Sequence, residues 1–162
     1  IINDISAGEL DPLIVDVVAE HDVPYVAMHM KGDPRTMQSM TDYRDIVAEV
    51  VDYFRERTAQ LRERGVRRIV VDPGFGFAKT LEQNYELLRG LHSLAELGYP
   101  VLAGVSRKSM IYKLLGTTPA EALNGTTALH WECLRQGAVI LRAHDTREAV
   151  EVVRMFDQFM QA

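Results

Sequence analysis

Along this chain, short unbroken apolar runs alternate with longer stretches that carry a single apolar stripe, and the alternation predicts the architecture. Five runs read as strands, at residues 1–5, 24–30, 67–71, 101–105 and 138–142. The second is too continuously apolar at its centre for a strand with one wet face. Between the strands the spacing turns helical. Asp11 and Pro12 open a helix with apolar face Leu13, Ile14, Val17 and Val18, ending near His21. A second helix, from about Asp42, carries Ile46, Val47, Val50, Phe54 and Leu61 and stops at Gly65. Thr80 and Gln83 form a capping box that opens a third, with Tyr85, Leu88, Leu91, Leu94 and Leu97 on its face and Gly98 closing it. A short helix is expected over residues 110–115, then a second capping box at Thr118 and Glu121. Asn124-Gly125-Thr126-Thr127 is expected to break and restart the chain before a helix running to about Gln136. Asp145, with Glu148 three residues on, should cap a last helix whose inward residues are Val152, Val153, Phe156 and Phe159.

Strands alternating with helices imply a parallel β/α architecture. Two versions compete: an open, doubly wound five-stranded sheet, which suits 162 residues, and part of a (β/α)8 barrel, which typically needs about 250. Residue 1 is Ile, and the chain opens inside a strand, so a fragment of a longer protein is expected.

Composition narrows the function. With 47% apolar residues and 25% charged, the chain can build one domain with a substantial core. A net charge of −5 with scattered Lys and Arg offers no electrostatic case for nucleic acid. Cys133 is the only cysteine, which excludes a disulfide framework or thiolate cluster, suits a reducing cytoplasm and reads as core. No apolar run approaches the roughly 18 residues of a membrane span, so a soluble protein is expected.

Candidate chemistry gathers where the strands end. Asp72-Pro73-Gly74-Phe75-Gly76-Phe77-Ala78-Lys79 places an acid at a strand's carboxyl end, before a loop with two glycines and two aromatic rings. Other strand ends carry Asn3 and Asp4, His29 and Lys31, Ser106 to Ser109, and Arg142 with His144. In a parallel sheet these ends share one rim. Asp72 can accept two N–H bonds side by side while Asn3 both donates and accepts, a pair suited to a flat heterocycle with an amino-pyrimidine edge. Lys108, Arg142 and His144 suit a phosphate. Lys79 and Arg107 read as solvated or paired with nearby acids. His21, His92 and His130 read as exposed or satisfied, His29 as hydrogen bonded at the rim or in the core, and Met28 and Met30 as core. Metal-ligand spacings, a P-loop and a nucleophile elbow do not occur.

Five motifs in order, Ile2-Asn3-Asp4-Ile5-Ser6, Met28-His29-Met30-Lys31-Gly32, Asp72-Pro73-Gly74-Phe75-Gly76-Phe77, Gly104-Val105-Ser106-Arg107-Lys108-Ser109 and Arg142-Ala143-His144-Asp145, resemble the dihydropteroate synthase family over essentially the whole chain. The resemblance implies the last five units, strands four to eight, of a (β/α)8 barrel, with residues 1–162 as one N-terminally truncated pterin-binding domain. It implies joining of 6-hydroxymethyl-7,8-dihydropterin pyrophosphate to p-aminobenzoate with release of pyrophosphate in folate synthesis, a reaction that sulfonamides inhibit. By resemblance Asn3, Asp72 and Lys108 hold the pterin, with Met28 and Phe77 beside it and Gly104 among the substrate-binding positions. Ser106, Arg107 and Ser109 belong to the aminobenzoate loop, and Arg142 with His144 binds pyrophosphate. Asp72, Lys108, Arg142 and His144 are the catalytic candidates. The family's Mg²⁺ is held from a part this sequence lacks, so no metal ligand is expected within it. Negligible turnover by these residues alone and pairing of two copies are further expectations. Competing readings are a pterin-binding methyltransferase barrel and a noncatalytic pterin-binding module.

Overall fold

A computed structural model describes residues 1–161. Strand β1 (Ile2–Asp4) is followed by α1 (Leu13–His21), β2 (Tyr25–Met28), α2 (Ile46–Glu63), β3 (Ile69–Asp72), α3 (Leu81–Arg89) and α4 (His92–Ala95). Then come β4 (Leu102–Ala103), α5 (Ser109–Leu115), α6 (Leu123–Arg135), β5 (Ile140–Leu141) and α7 (Thr146–Gln161). β1, β2 and β3 pair in parallel, as do β4 and β5. A parallel bridge between Val71 and Val101, with the Val71 N–H donating to the Pro100 carbonyl at 2.9 Å, joins the two groups. The strands therefore follow one another in chain order. A doubly wound sheet reverses its order at a switch point, so that alternative is excluded.

Because side chains alternate across a strand, the sheet has two apolar faces. Tyr25, Ala27, Ile69, Val71, Val101 and Ala103 face the helices and share a core with Val15, Val18, Phe54, Leu61, Leu87 and Leu94. Val26, Val70 and Leu102 face the other way and form a separate small cluster. Burial on both faces is why β2, β3 and β4 read as unbroken apolar runs, whereas β1 and β5 at the margins are partly exposed.

The helices depart from the expected pattern where distant packing intervenes. In α1 the buried residues are Val15 and Val18, while Leu13 and Val17 are 72% and 48% exposed, so the apolar face is shifted by part of a turn. Asp45, not Asp42, caps α2, accepting from the Ala48 N–H at 3.0 Å. The expected third helix divides into α3 and α4 at Gly90, where the side chain of Val47 lies 2.6 Å from the place a Cβ would occupy. Conversely α6 runs unbroken through Gly125, whose bare backbone lets Ile111 of α5 pack against it. In α7 only Ala149 is buried and Phe159 is 67% exposed. Trp131 of α6 packs edge-on to both Phe156 and Phe159. Both capping boxes form as expected, the second on a single 3-10 turn, Pro119–Glu121.

Candidate functional site

The strand register assembles the site. Met28 stands opposite Asp72, and Asn3 opposite Val26. Leu102 stands opposite Ile140, so two residues on, Gly104 and Arg142 follow on the same face. The Arg142 guanidinium lies against Gly104, with a nitrogen 2.7 Å from where a Cβ would sit. Met28 and Asp72 therefore stand side by side at the ends of β2 and β3, while the Val71–Val101 bridge sets Leu102 beside Asp72, so Gly104 and Arg142 stand two residues nearer the rim on β4 and β5, and Asn3 a layer deeper on β1.

Asp72 is 2% exposed and accepts from the Gly74 N–H at 2.8 Å. Burial raises its pKa above the usual carboxylate range, opposed first by the Gly74 bond and then by the charges of Lys108, Arg142 and Lys79. The Lys108 ammonium donates to the Phe75 carbonyl and lies 4.9 Å from the centre of the Phe77 ring. Burial lowers its pKa to about 8, against the pull of Asp72. Desolvation disfavours the charged form of each, so each depends on the other to stay ionised.

His144, two residues beyond Arg142, is exposed and linked to buried Ser106. The Ser106 hydroxyl accepts the His144 backbone N–H at 3.1 Å and lies 3.0 Å from its Nδ1. In the tautomer whose Nδ1 accepts the hydroxyl proton, Nε2–H is left as a donor toward an anion.

Several rim groups have other duties. Arg107 forms a two-bond ion pair with Asp145, at 2.8 and 2.7 Å, and donates to the carbonyls of Pro119 and Ala120. It thus ties the loop after β4 to the one after β5, and both Asp145 oxygens are engaged at the site where a helix cap was expected. Ser109 opens α5 and lines a cleft of about 210 Å³ with Gly76, Lys79, Thr80, Asn84 and Lys113, apart from the Asp72 layer. The Asp4 carboxylate accepts from Ser6, Gly8 and Tyr25, and Lys31 donates to the Asp42 carbonyl and pairs with Glu49.

Two expectations require correction, and one residue was missed. Lys79 is not solvated or paired with an acid: it is buried, donates to the carbonyls of Gly74 and Phe77 at 3.1 and 2.9 Å, and lies 3.1 Å from Nδ1 of buried His29. His130 is neither exposed nor satisfied: it is buried, and neither ring nitrogen has a hydrogen-bond partner among the described residues. Its pKa is lowered by burial, which keeps the ring neutral there. Asn84, unremarked in the sequence, is buried and accepts from the Gly76 N–H at 2.6 Å, bracing the same loop. A polar residue on the apolar stripe of α3, between Leu81 and Leu88, was its signal.

Residues 1–144 match the family model described as pterin binding enzyme. The dihydropteroate synthase of Synechocystis sp. is 42% identical over 96% of this chain and 55% of its own length. The Thermus thermophilus dihydropteroate synthase, solved in complex with 6HMPPP and separately with 4-aminobenzoate, superposes with TM-scores of 0.91 and 0.92 at 40% identity. Those superpositions cover 96% of this chain and 62% and 64% of the other. The Yersinia pestis enzyme with a sulfonamide drug gives 0.95 at 34% identity, covering 99% of this chain and 58% of the other. The chain thus spans a little over half the length of the relatives it matches.

Proposed function

The chain belongs to the family of pterin-binding enzymes, and on that footing we propose that it is strands four to eight of a dihydropteroate synthase barrel. Its activity is the condensation of 6-hydroxymethyl-7,8-dihydropterin pyrophosphate with p-aminobenzoate in the cytoplasm. The observation that carries the reading is the convergence at the strand ends of buried Asp72, beside Met28, with the charges of Lys108 and of Arg142, which lies against Gly104. Residues over 100 positions apart along the chain converge there as an acid for one end of a bicyclic ligand and cations for the other. Complexes of the Thermus thermophilus relative with 6HMPPP and 4-aminobenzoate support the choice of substrates.

Asp72 accepts the N–H groups of the pterin's amino-pyrimidine edge and stabilises positive charge spreading into the ring. Asn3 and Lys108 complete the hold, with Met28 and Phe77 against the faces. The C–O bond to pyrophosphate breaks with its electron pair on the departing oxygen, where Arg142 and His144 Nε2–H receive the charge. The amine of p-aminobenzoate then forms the new C–N bond and releases a proton. Ser106 holds His144, Arg107 braces the loop that carries Lys108, and Ser109 stands beside the aminobenzoate position.

Mg²⁺ accompanies this activity in the resemblance. Among the described residues no three His, Cys, Asp or Glu side chains gather to hold an ion, and Asp72 already faces Lys79, Lys108 and Arg142. The residues present do not fit a divalent cation, and no step is routed through one.

Titration calorimetry with the pterin pyrophosphate, in the absence and presence of free pyrophosphate, tests the reading. Competition by pyrophosphate is expected, because Arg142 and His144 bind that group. A site of the pterin methyltransferase type would bind the pterin and ignore pyrophosphate, and that outcome would overturn the proposal.

Self-association is also expected for the 162-residue chain. The β1 edge presents exposed Ile1, Leu10, Leu13 and Val17, and the β5 edge Val139, Ile140 and Val150 beside a cleft of about 630 Å³. Unpaired strand edges with apolar margins favour pairing with a second copy. Light scattering at micromolar concentration should give twice the chain mass; a clean monomer would refute it.

A further inference from the structure

We propose that Lys79 is a positioning residue for Asp72, fixing the carboxylate through the backbone of Gly74 and supplying a counter-charge from behind the pterin site. The inference rests on the reading of Asp72 as a pterin ligand and adds a residue that lies outside the layer facing the ring.

Four hydrogen bonds close a circuit. The Lys79 ammonium donates to the Gly74 carbonyl, and the Gly74 N–H donates to the Asp72 carboxylate. The Asp72 carbonyl accepts the His29 N–H at 3.0 Å, and His29 Nδ1 lies 3.1 Å from the Lys79 ammonium. A further bond from Lys79 to the Phe77 carbonyl draws the aromatic end of the loop into the same arrangement. Gly74 has little room to turn, because it is packed against the His29 carbonyl. Lys79 thus reaches Asp72 through one residue, whose carbonyl and N–H lie on successive peptide planes joined at its Cα, and moving the ammonium would let the Gly74 dihedrals shift and with them the N–H that orients the acid.

The charges around it are mixed. From β2 and its loop come His29 and Lys31, from β3 Asp72, and from the loop after β4 Lys108. Arg142 reaches Asp72 from β5, and Lys113 of α5 shares the adjoining cleft. The rings of Tyr43 and Tyr53 cover His29 on its other side. Burial lowers Lys79 to about 7, with Asp72 opposing and Lys108 and Lys31 adding to the fall. Burial also holds His29 neutral, so that its Nδ1 can accept the Lys79 proton.

The test follows the Asp72 carboxyl carbon by NMR through a pH titration of the chain, wild type against Lys79→Met and Lys79→Arg, with thermal melts alongside. Lys79→Met should move the Asp72 midpoint upward by about one pH unit, and Lys79→Arg should hold it near the wild-type value. Quenching of 6-hydroxymethylpterin fluorescence, read in parallel, should weaken about tenfold in Lys79→Met, with its acid limb following the new midpoint. A lysine that only stabilises the fold would lower the melting temperature and leave the midpoint where it was, and that result overturns the inference. Should Lys79→Met not fold, the inflection that Lys79 imposes on the wild-type Asp72 signal near pH 7 must be absent from Lys79→Arg, whose guanidinium keeps its charge; an inflection common to both, as Lys108 with its pKa of about 8 would give, overturns the inference equally. A moved midpoint without pterin binding would sustain the coupling and overturn the reading of the site.

Discussion

Asp72→Asn is expected to lower pterin affinity by roughly 100-fold or more while leaving the fold intact. Asn preserves the shape of the side chain but replaces one acceptor oxygen with an NH₂ group, which meets the pterin's own N–H donor head-on. Losing two charge-assisted bonds amounts to about 3 kcal/mol. Stability runs the other way. Burial raises the folded-state pKa of Asp72 above its ordinary 3.8, so a folding penalty is absent below pH 3.8, develops as the unfolded chain ionises first, and is complete above the folded value. Asn carries no such penalty. The counter-charge lost beside Lys108 and Arg142 offsets part of the gain. Melting temperatures at pH 7 should therefore match or exceed the wild type, with the difference shrinking toward pH 4. A variant that keeps its affinity in calorimetry, or melts more than about 10 °C early, would show that Asp72 serves the fold rather than the ligand.

Gly74→Ala should damage the protein most. A methyl group there would run into the His29 carbonyl oxygen, and the backbone φ of +69° is one that alanine adopts only under strain. The obstructing atom cannot swing aside, because it belongs to the main chain of the segment that pairs with Asp72. A loss of about 3 kcal/mol is expected, equivalent to roughly 6–12 °C in melting temperature for a chain of this length. Gly98→Ala supplies the control: φ is +80°, yet nothing lies within 4 Å of the added Cβ. It should lose only the strain, on the order of 1 kcal/mol. Equal losses in differential scanning calorimetry would sink the account, since only the contact with His29 separates the two sites.

Whatever depends on near neighbours was legible in the order of the residues. Thr80 and Gln83 cap a helix because their partners lie three residues apart, and the runs of β2, β3 and β4 became parallel strands because two-sided burial leaves no polar alternation. Asp72, a charge at the end of such a run, was legible as a site for the same reason. Contacts between distant segments settled everything else. Lys79 read as a solvated cation because its partner His29 is 50 residues away and its other acceptors are carbonyls, which every residue possesses. Gly90 and Gly125 admit Val47 and Ile111 against bare backbone, contacts with residues 43 and 14 positions away that the local sequence does not announce. Leu13 and Phe159 sit on apolar stripes yet remain exposed, because a stripe records which side chains prefer burial and only the packing of other elements supplies something to bury them against.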